Sequence, residues 1–277
     1  MIGRDYSDEA YEKPIEIAEG IFWVGFYDSE SGLHCNPYLI KDGNEAVVID
    51  GGSRPDFPTV MMKILETGMD VKSIKALIYH HYDPDLCGSI PNFEDIIDKP
   101  DIMIISHKEN NMFIRHYQVK SPLISHDAIK SVFRFSSGRT LTFHNIPYAH
   151  SSGSFITFDR ETGVLFTSDL FGSYGSTWDL FLKLTPKCRT CIDTTICTSQ
   201  KKYCPLPDFI NYHRHIMTSD KALSHAAGVV SDLNANMLAP QHGSVIHDQE
   251  DIRFMINLLM NLKGVGIDGI LNAEQSK

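Results

Sequence analysis

Apolar side chains recur along this chain in two periods, and the two alternate from one end to the other. Short apolar runs rich in β-branched and aromatic residues predict strands at Ile21 to Tyr27, Asn36 to Ile40, Glu45 to Asp50, Ile74 to Ile78 and Asp101 to Ile105. Asp42-Gly43, between the second and third runs, is a hairpin signal. Residues 132–147 alternate polar and apolar, and Gly153 to Asp159 and Val164 to Asp169 flank a turn at Glu161-Thr162-Gly163. Asn236 to Pro240 reads as a last strand. Helical spacing marks Asp56 to Glu66, through Phe57, Val60, Met61, Ile64 and Leu65, a short piece from Asn92 to Ile97, and longer ones at Lys108 to Tyr117, Phe209 to Val230 and Gln249 to Leu262. Helices intervene singly between strands and no fixed-period repeat is visible, so the economical arrangement places helices outside two sheets. Residues 170–206, with Gly, Ser, Thr, Pro and four cysteines, read as a long functional loop or lid within one domain spanning 1–277.

Composition narrows the class of partner. The 277 residues are 42% hydrophobic and 22% charged, an ordinary balance for a soluble globular chain. A net charge of −10 argues against nucleic acid or an anionic membrane surface, both of which reward clustered Lys and Arg. Acidic residues crowd the start (Asp5, Asp8, Glu9, Glu12, Glu16 and Glu19), which suggests a solvated leader. No stretch has the length of a membrane span, and the first residues lack the apolar segment of a secretory signal. The expectation is a cytoplasmic protein with no membrane and no nucleic-acid partner, whose six cysteines are thiols or metal ligands.

Candidate chemistry starts where the Ile74 to Ile78 run ends. There the chain reads His80-His81-Tyr82-Asp83-Pro84-Asp85-Leu86-Cys87-Gly88. If this segment is extended, residues at every second position point one way, and His81, Asp83 and Asp85 converge on one point. Three ligand-type side chains aimed at one place form half of a metal site. Three more apolar runs end in a residue of the same kind: His150 after Ile146 to Ala149, Asp169 after Val164 to Ser168, and His242 after Met237 to Gln241. A lone His at a strand end is most often solvated or hydrogen-bonded, so each is weak evidence alone.

In combination their order and flanks resemble the metallo-β-lactamase-like superfamily, and within it the di-iron domain of the flavodiiron proteins. The flavodiiron motif is Asn-His-x-Glu-x-Asp-His-x-Gly-Ser-Leu-Pro; the matching stretch ends here in Gly88-Ser89-Ile90-Pro91 and carries an acidic Asp83 where hydrolases of the superfamily carry a second His. Further matching flanks are Asn36 to Ile40, Val48 to Gly52, Leu165 to Gly172 and Leu238 to Gly243, so the likeness spans roughly residues 20 to 262. It implies an α+β fold, the αββα sandwich of two mixed sheets flanked by helices. It also implies two iron ions, one held by His81, Asp83, His150 and Asp169, the other by Asp85, Asp169 and His242, with Asp169 bridging. Mixed imidazole and carboxylate ligands suit iron or manganese.

Three departures shape the functional expectation. Leu86 stands where the family places a His on the second iron, which leaves that ion an open position or, on the plainer reading, a degenerate site. Asp83 is one methylene shorter than the family's Glu. The chain has no Gly-rich phosphate loop, so no flavin mononucleotide site is expected in it, and electrons would come from an external donor. The resemblance is therefore closest to a stand-alone oxygen-binding di-iron protein without the flavodoxin domain. Such a protein would bind dioxygen or nitric oxide as a sensor or carrier, or act as an oxygen or nitric oxide reductase, with a signalling or electron-donor protein as partner and a homodimer as a plausible assembly. The alternative is a metal-dependent hydrolase of esters or thioesters, which Asp83 and Leu86 weigh against, and a third possibility is a vestigial site in an interaction module. Cys188, Cys191, Cys197 and Cys204 remain as weak candidates for a second metal or an iron–sulfur centre, their spacing matching no tight knuckle.

Overall fold

The computed structural model describes residues 11–28, 30–191, 197, 199 and 203–275. Two sheets face each other. The first has seven strands in chain order: β1 (Ile15–Ala18), β2 (Ile21–Trp23), β3 (Tyr38–Asp42), β4 (Glu45–Ile49), β5 (Ile74–Ile78), β6 (Met103–Ser106) and β7 (Leu123–Ser125). β1 to β4 are antiparallel neighbours, and β4 to β7 run parallel. The second sheet orders as β12 (Met237–Ala239), β11 (Val164–Phe166), β10 (Phe155–Asp159), β9 (Thr140–Asn145) and β8 (Val132–Arg134). Only its β11–β12 pair is parallel. Both sheets are thus mixed.

Strand alternation sorts the side chains into three apolar clusters. Between the sheets lie Trp23, Tyr38, Ile40, Val47, Ile49, Ala76 and Ile78 from one and Leu141, Phe143, Phe155, Val164, Phe166 and Ala239 from the other. On the outer face of the first sheet, Leu39, Val48, Leu77 and Ile104 meet α1 (Phe57–Glu66), α2 (Pro84–Cys87), α3 (Ile90–Ile97) and α4 (Lys108–Ile114). On the outer face of the second, Ile156, Leu165 and Leu238 meet α6 (Leu206–Ile216), α7 (Asp220–Leu233) and α8 (Gln249–Asn261). α5 (Pro186–Arg189) is a single turn, and α9 (Ile267–Gln275) ends the described chain. The result is the expected αββα sandwich, with three clusters where layers meet.

The differences from expectation are local. The predicted helix from Phe209 to Val230 is two helices, because Met217 turns extended and Ser219 caps α7, its hydroxyl accepting from the Ala222 N–H at 3.2 Å. The acidic leader lies partly outside the described residues, and its described end forms the edge strand β1, with Ile15 and Ile17 buried and Glu16 exposed. Leu86, foreseen at an open metal position, is fully buried in the cluster outside the first sheet. In the stretch 170–206, Leu170, Phe171, Leu180, Phe181 and Leu182 are buried, and Phe181 pairs with Val245 as a parallel bridge. Among the described residues no helix is long and apolar enough to cross a membrane.

Candidate metal centre

The six expected ligands meet above one shared end of the two sheets, where Tyr38 on β3 donates its hydroxyl to the Pro240 carbonyl just past β12, at 2.8 Å. His81 arrives from β5. The preceding residue, His80, points the other way and is held from three sides. Asp50 Oδ1 accepts from the His80 backbone N–H at 3.0 Å, Asp50 Oδ2 accepts from its Nδ1 at 2.6 Å, and its Nε2 shares a 2.8 Å hydrogen bond with Thr157 Oγ1 on the facing sheet. The carbonyl of His80 accepts from Asn110 Nδ2, which also donates to the Gly153 carbonyl. A Cβ at Gly153 would fall 2.3 Å from Asn110 Oδ1, so only glycine lets the loop before β10 lie this close.

The approach of Asp83 and Asp85 differs from the extended alternation read from sequence. Asp83 is extended (φ −71°, ψ 155°) and precedes Pro84, whose ring starts the single helical turn α2 that carries Asp85 in its first turn. Convergence is produced by a strand end followed by a helical turn. The other three expected ligands sit in loops, and around His150 and Asp169 the backbone is unusual. Tyr148 (φ 63°), His150 (φ 93°), Ser168 (φ 55°) and Phe171 (φ 68°) all lie in the left-handed region although none is glycine. Such strain persists where surrounding bonds over-determine it. Here the Gly172 N–H closes a turn onto the Asp169 carbonyl at 2.9 Å, and the Gln241 N–H bonds the Ser168 carbonyl at 2.8 Å.

Asp169 stands at the centre. Its Oδ1 lies 3.1 Å from His81 Nε2 and 3.8 Å from His242 Nε2, while its Oδ2 lies 3.8 Å from His150 Nε2. Asp83 Oδ2 is 2.8 Å from His150 Nε2 and 3.7 Å from His81 Nδ1; Asp85 Oδ2 is 3.0 Å from His242 Nε2. His81, Asp169 and His242 are buried, whereas the side chains of Asp83, Asp85 and His150 are 34%, 27% and 21% exposed, so the cluster opens to solvent on that side.

The electrostatics are those of cations and anions packed together. Burial alone would disfavour a proton on His81, but Asp169, Asp85 and Asp83 outweigh it and push that imidazole up to about 9. His150 is raised against its burial by Asp83 and Asp169, and His242 well above the usual range by Cys35 and Asp85. Burial would raise Asp169, yet the three imidazoles hold its carboxyl far below the ordinary carboxylate range; Asp85 is lowered by His242 in the same sense. These shifts favour protonated imidazoles where a cation would otherwise balance the carboxylates, and metal binding would release those protons.

Two sets of donors lie close enough to share an ion, each within 4.8 Å of one another: His81, His150 and Asp169, and Cys35, Asp85 and His242. Cys35 was not singled out from sequence. Two further neighbours were missed as well. Tyr212 on α6 is buried, its ring 6.0 Å from that of His242, and burial together with the Asp169 and Asp85 carboxylates raises its phenol well above the usual value. His213, next to it on α6, is buried; its Nε2 accepts from the Phe171 N–H at 3.0 Å and its Nδ1 donates to the Phe209 carbonyl. A Tyr-His pair after an apolar helical position was the available signal. Of the other polar side chains on these segments, Tyr82 packs on Phe113, Tyr148 is exposed, and the His34 ring lies against those of Tyr27 and Trp178. Among the described residues Cys188, Cys191, Cys197 and Cys204 form no group at ligand distances. They share one neighbourhood nonetheless, because burial and then the thiols of Cys197, Cys188 and Cys191 raise Cys204.

Three imidazoles and three carboxylates, one carboxylate lying between two sets, make a donor set suited to a pair of iron ions. Comparison with known proteins agrees. The family model described as ODP family beta lactamase matches residues 33–243. A structure of the chemotaxis sensor ODP, described as its peroxy diiron species, superposes with a TM-score of 0.70 at 25% identity, covering 91% of this chain and 94% of that one. Rubredoxin oxygen:oxidoreductase from the anaerobe Desulfovibrio gigas shares the fold, with a TM-score of 0.73 at 18% identity over 90% of this chain and 61% of its own. The flavo-diiron protein FprA2 of Clostridium acetobutylicum is 27% identical over 173 residues, 58% of this chain and 42% of that protein. The chain spans well under two thirds of the length of the curated relatives it matches.

Proposed function

The chain belongs to the ODP family of beta-lactamase-type domains, and from that premise we propose that it is a non-haem di-iron protein that binds dioxygen, or nitric oxide, and relays the event to another protein. The observation that carries this reading is Asp169. One of its oxygens faces His81 and His242 and the other faces His150, so a single buried carboxylate serves both donor sets. His81, Asp83, His150 and Asp169 would hold one ion, and Asp85, Asp169 and His242 the other. A bound iron pair supplies electrons and open coordination to a diatomic ligand.

The protein's own groups shape that chemistry. Asp169 fixes the separation of the two sets. His80, clamped by Asp50 and Thr157, sets the direction of His81. Tyr212, whose phenol burial and the Asp169 and Asp85 carboxylates raise well above its usual value, keeps its proton and packs its ring 6.0 Å from that of His242. The exposed edges of Asp83, Asp85 and His150 are the entry side.

Asp83 and Leu86, standing where the superfamily's hydrolases need imidazoles, disfavour the hydrolytic alternative. We read the chain as one domain over 1–277 that works in the cytoplasm, takes electrons from an external donor and forms homodimers. The test is direct. Protein loaded anaerobically with ferrous iron should hold two ions per chain and gain a visible charge-transfer band on admission of air, and Asp169→Ala should hold neither ion. Colourless protein that retains only zinc after iron loading would sink the reading.

A further inference from the structure

Of the six expected ligands only Asp85, Asp169 and His242 would serve the second ion, and a further donor reaches them from the other end of the chain. Cys35 lies directly across from His242 in an isolated antiparallel bridge, so their side chains emerge on the same side. The pairing is pinned on both flanks. The Asn36 N–H bonds the Gln241 carbonyl at 2.8 Å, and Asn36 Nδ2 donates to the carbonyls of Pro240 at 3.0 Å and Gly243 at 2.8 Å. Cys35 is 4% exposed, and its sulfur, a carboxylate oxygen of Asp85 and an imidazole nitrogen of His242 all lie within 4.8 Å of one another.

The described surroundings of the thiol are polar. Its near neighbour is His242 Nδ1, at 3.9 Å. That nitrogen lies 3.1 Å from the His34 carbonyl, an acceptor only, so it carries the ring hydrogen and cannot receive one from sulfur. The same bond directs Nε2, which faces Asp85 and Asp169, toward an ion. A buried thiol packed beside a carboxylate and an imidazole is poor apolar packing and good coordination chemistry, because sulfur, nitrogen and oxygen donors together suit iron, cobalt or zinc.

Resting on the dinuclear reading above, we propose that Cys35 is a ligand of the second ion, completing a set of Cys35, Asp85, Asp169 and His242. On binding, the Sγ–H bond breaks, its proton leaves to solvent through the open side, and the sulfur donates its electron pair to the ion. The second ion is then thiolate-bound and the first is not, so the two differ in ligand chemistry.

Cobalt(II), added alone to the metal-stripped full chain, tests this without recourse to activity. The wild-type protein should bind two ions, and a thiolate-to-cobalt charge-transfer band should grow in the near ultraviolet. Cys35→Ser and Cys35→Ala should lose that band entirely, keep the ligand-field absorption of the first ion, and bind the second roughly tenfold or more weakly. Unchanged far-ultraviolet dichroism would show that both variants fold. Two bound ions without the band in the wild type would overturn the assignment of Cys35 and leave the dinuclear reading standing. A band that survives in Cys35→Ala would also overturn it, tracing the signal to the cysteines between 188 and 204. Fewer than two ions in the wild type would overturn both.

Discussion

Replacing Asp50 is the sharpest test of how the sandwich aims its site. This carboxyl is 2% exposed, lies in the left-handed region (φ 52°), and accepts two hydrogen bonds from His80, one from the backbone and one from the ring. Asp50→Ala leaves two buried donors unpaired, each costing about 1–3 kcal/mol, and the left-handed backbone gains nothing from Ala. A total of about 3 kcal/mol or more is expected. Asp50→Asn keeps one carbonyl oxygen for the backbone N–H, and its amide can donate to a flipped His80 tautomer whose other nitrogen then donates to Thr157 Oγ1. Its cost should be about 1 kcal/mol. Urea unfolding of metal-free protein reads both values, and metal affinity should fall in the same order as His81 loses its support. An Asp50→Ala protein within about 0.5 kcal/mol of the wild type would refute the claim that this network positions the ligand strand.

Three other outcomes follow from buried groups. Arg139 Nη2 and Nε donate to Asp159 at 2.6 and 3.2 Å with both residues buried, so Asp159→Ala should cost about 3–5 kcal/mol while the double change Arg139→Met with Asp159→Leu recovers most of it. Equal losses in the single and double variants, measured by chemical denaturation, would contradict this. His213 is held down to about 4 by burial, so its neutral form contributes stability that is complete above pH 6.5 and fades as pH falls from 6.5 toward 4, by about 3 kcal/mol in all. His213→Gln should flatten that acid limb of the stability profile, and an unchanged slope would count against the argument. A Cβ at Gly172 would meet the Tyr212 ring at 2.6 Å and the Asp169 carbonyl at 2.8 Å, so Gly172→Ala should destabilise by about 1–3 kcal/mol; a variant that melts with the wild type would show that Tyr212 is not fixed as described.

Much of the architecture was legible because strands and helices announce themselves locally. The buried runs at Val47 to Ile49 and Ile74 to Ile78 and the helical spacing of Phe57, Val60, Met61 and Ile64 are properties of neighbouring residues, and they emerged as β4, β5 and α1. What escaped was short or depended on packing. β1 and β7 are edge strands, stabilised by a neighbour rather than by their own sequence. The break between α6 and α7 rests on the extended backbone at Met217 and the Ser219 cap. The turn at Pro84 replaced an extended segment because proline fixes the first helical position.

For the site, the sequence by itself determined which residues end apolar strands in imidazole or carboxylate, and so named His81, Asp83, Asp85, His150, Asp169 and His242. Tertiary structure alone decided their partners. Cys35 and His242 are 207 residues apart and meet only because the loop between β2 and β3 lies against the end of β12. His80 finds Thr157 only across the gap between the sheets. A side chain's type is local information, whereas the atoms that will face it depend on how distant layers pack. That is why a thiol that nothing in the sequence singled out stands in the structure beside an imidazole and a carboxylate.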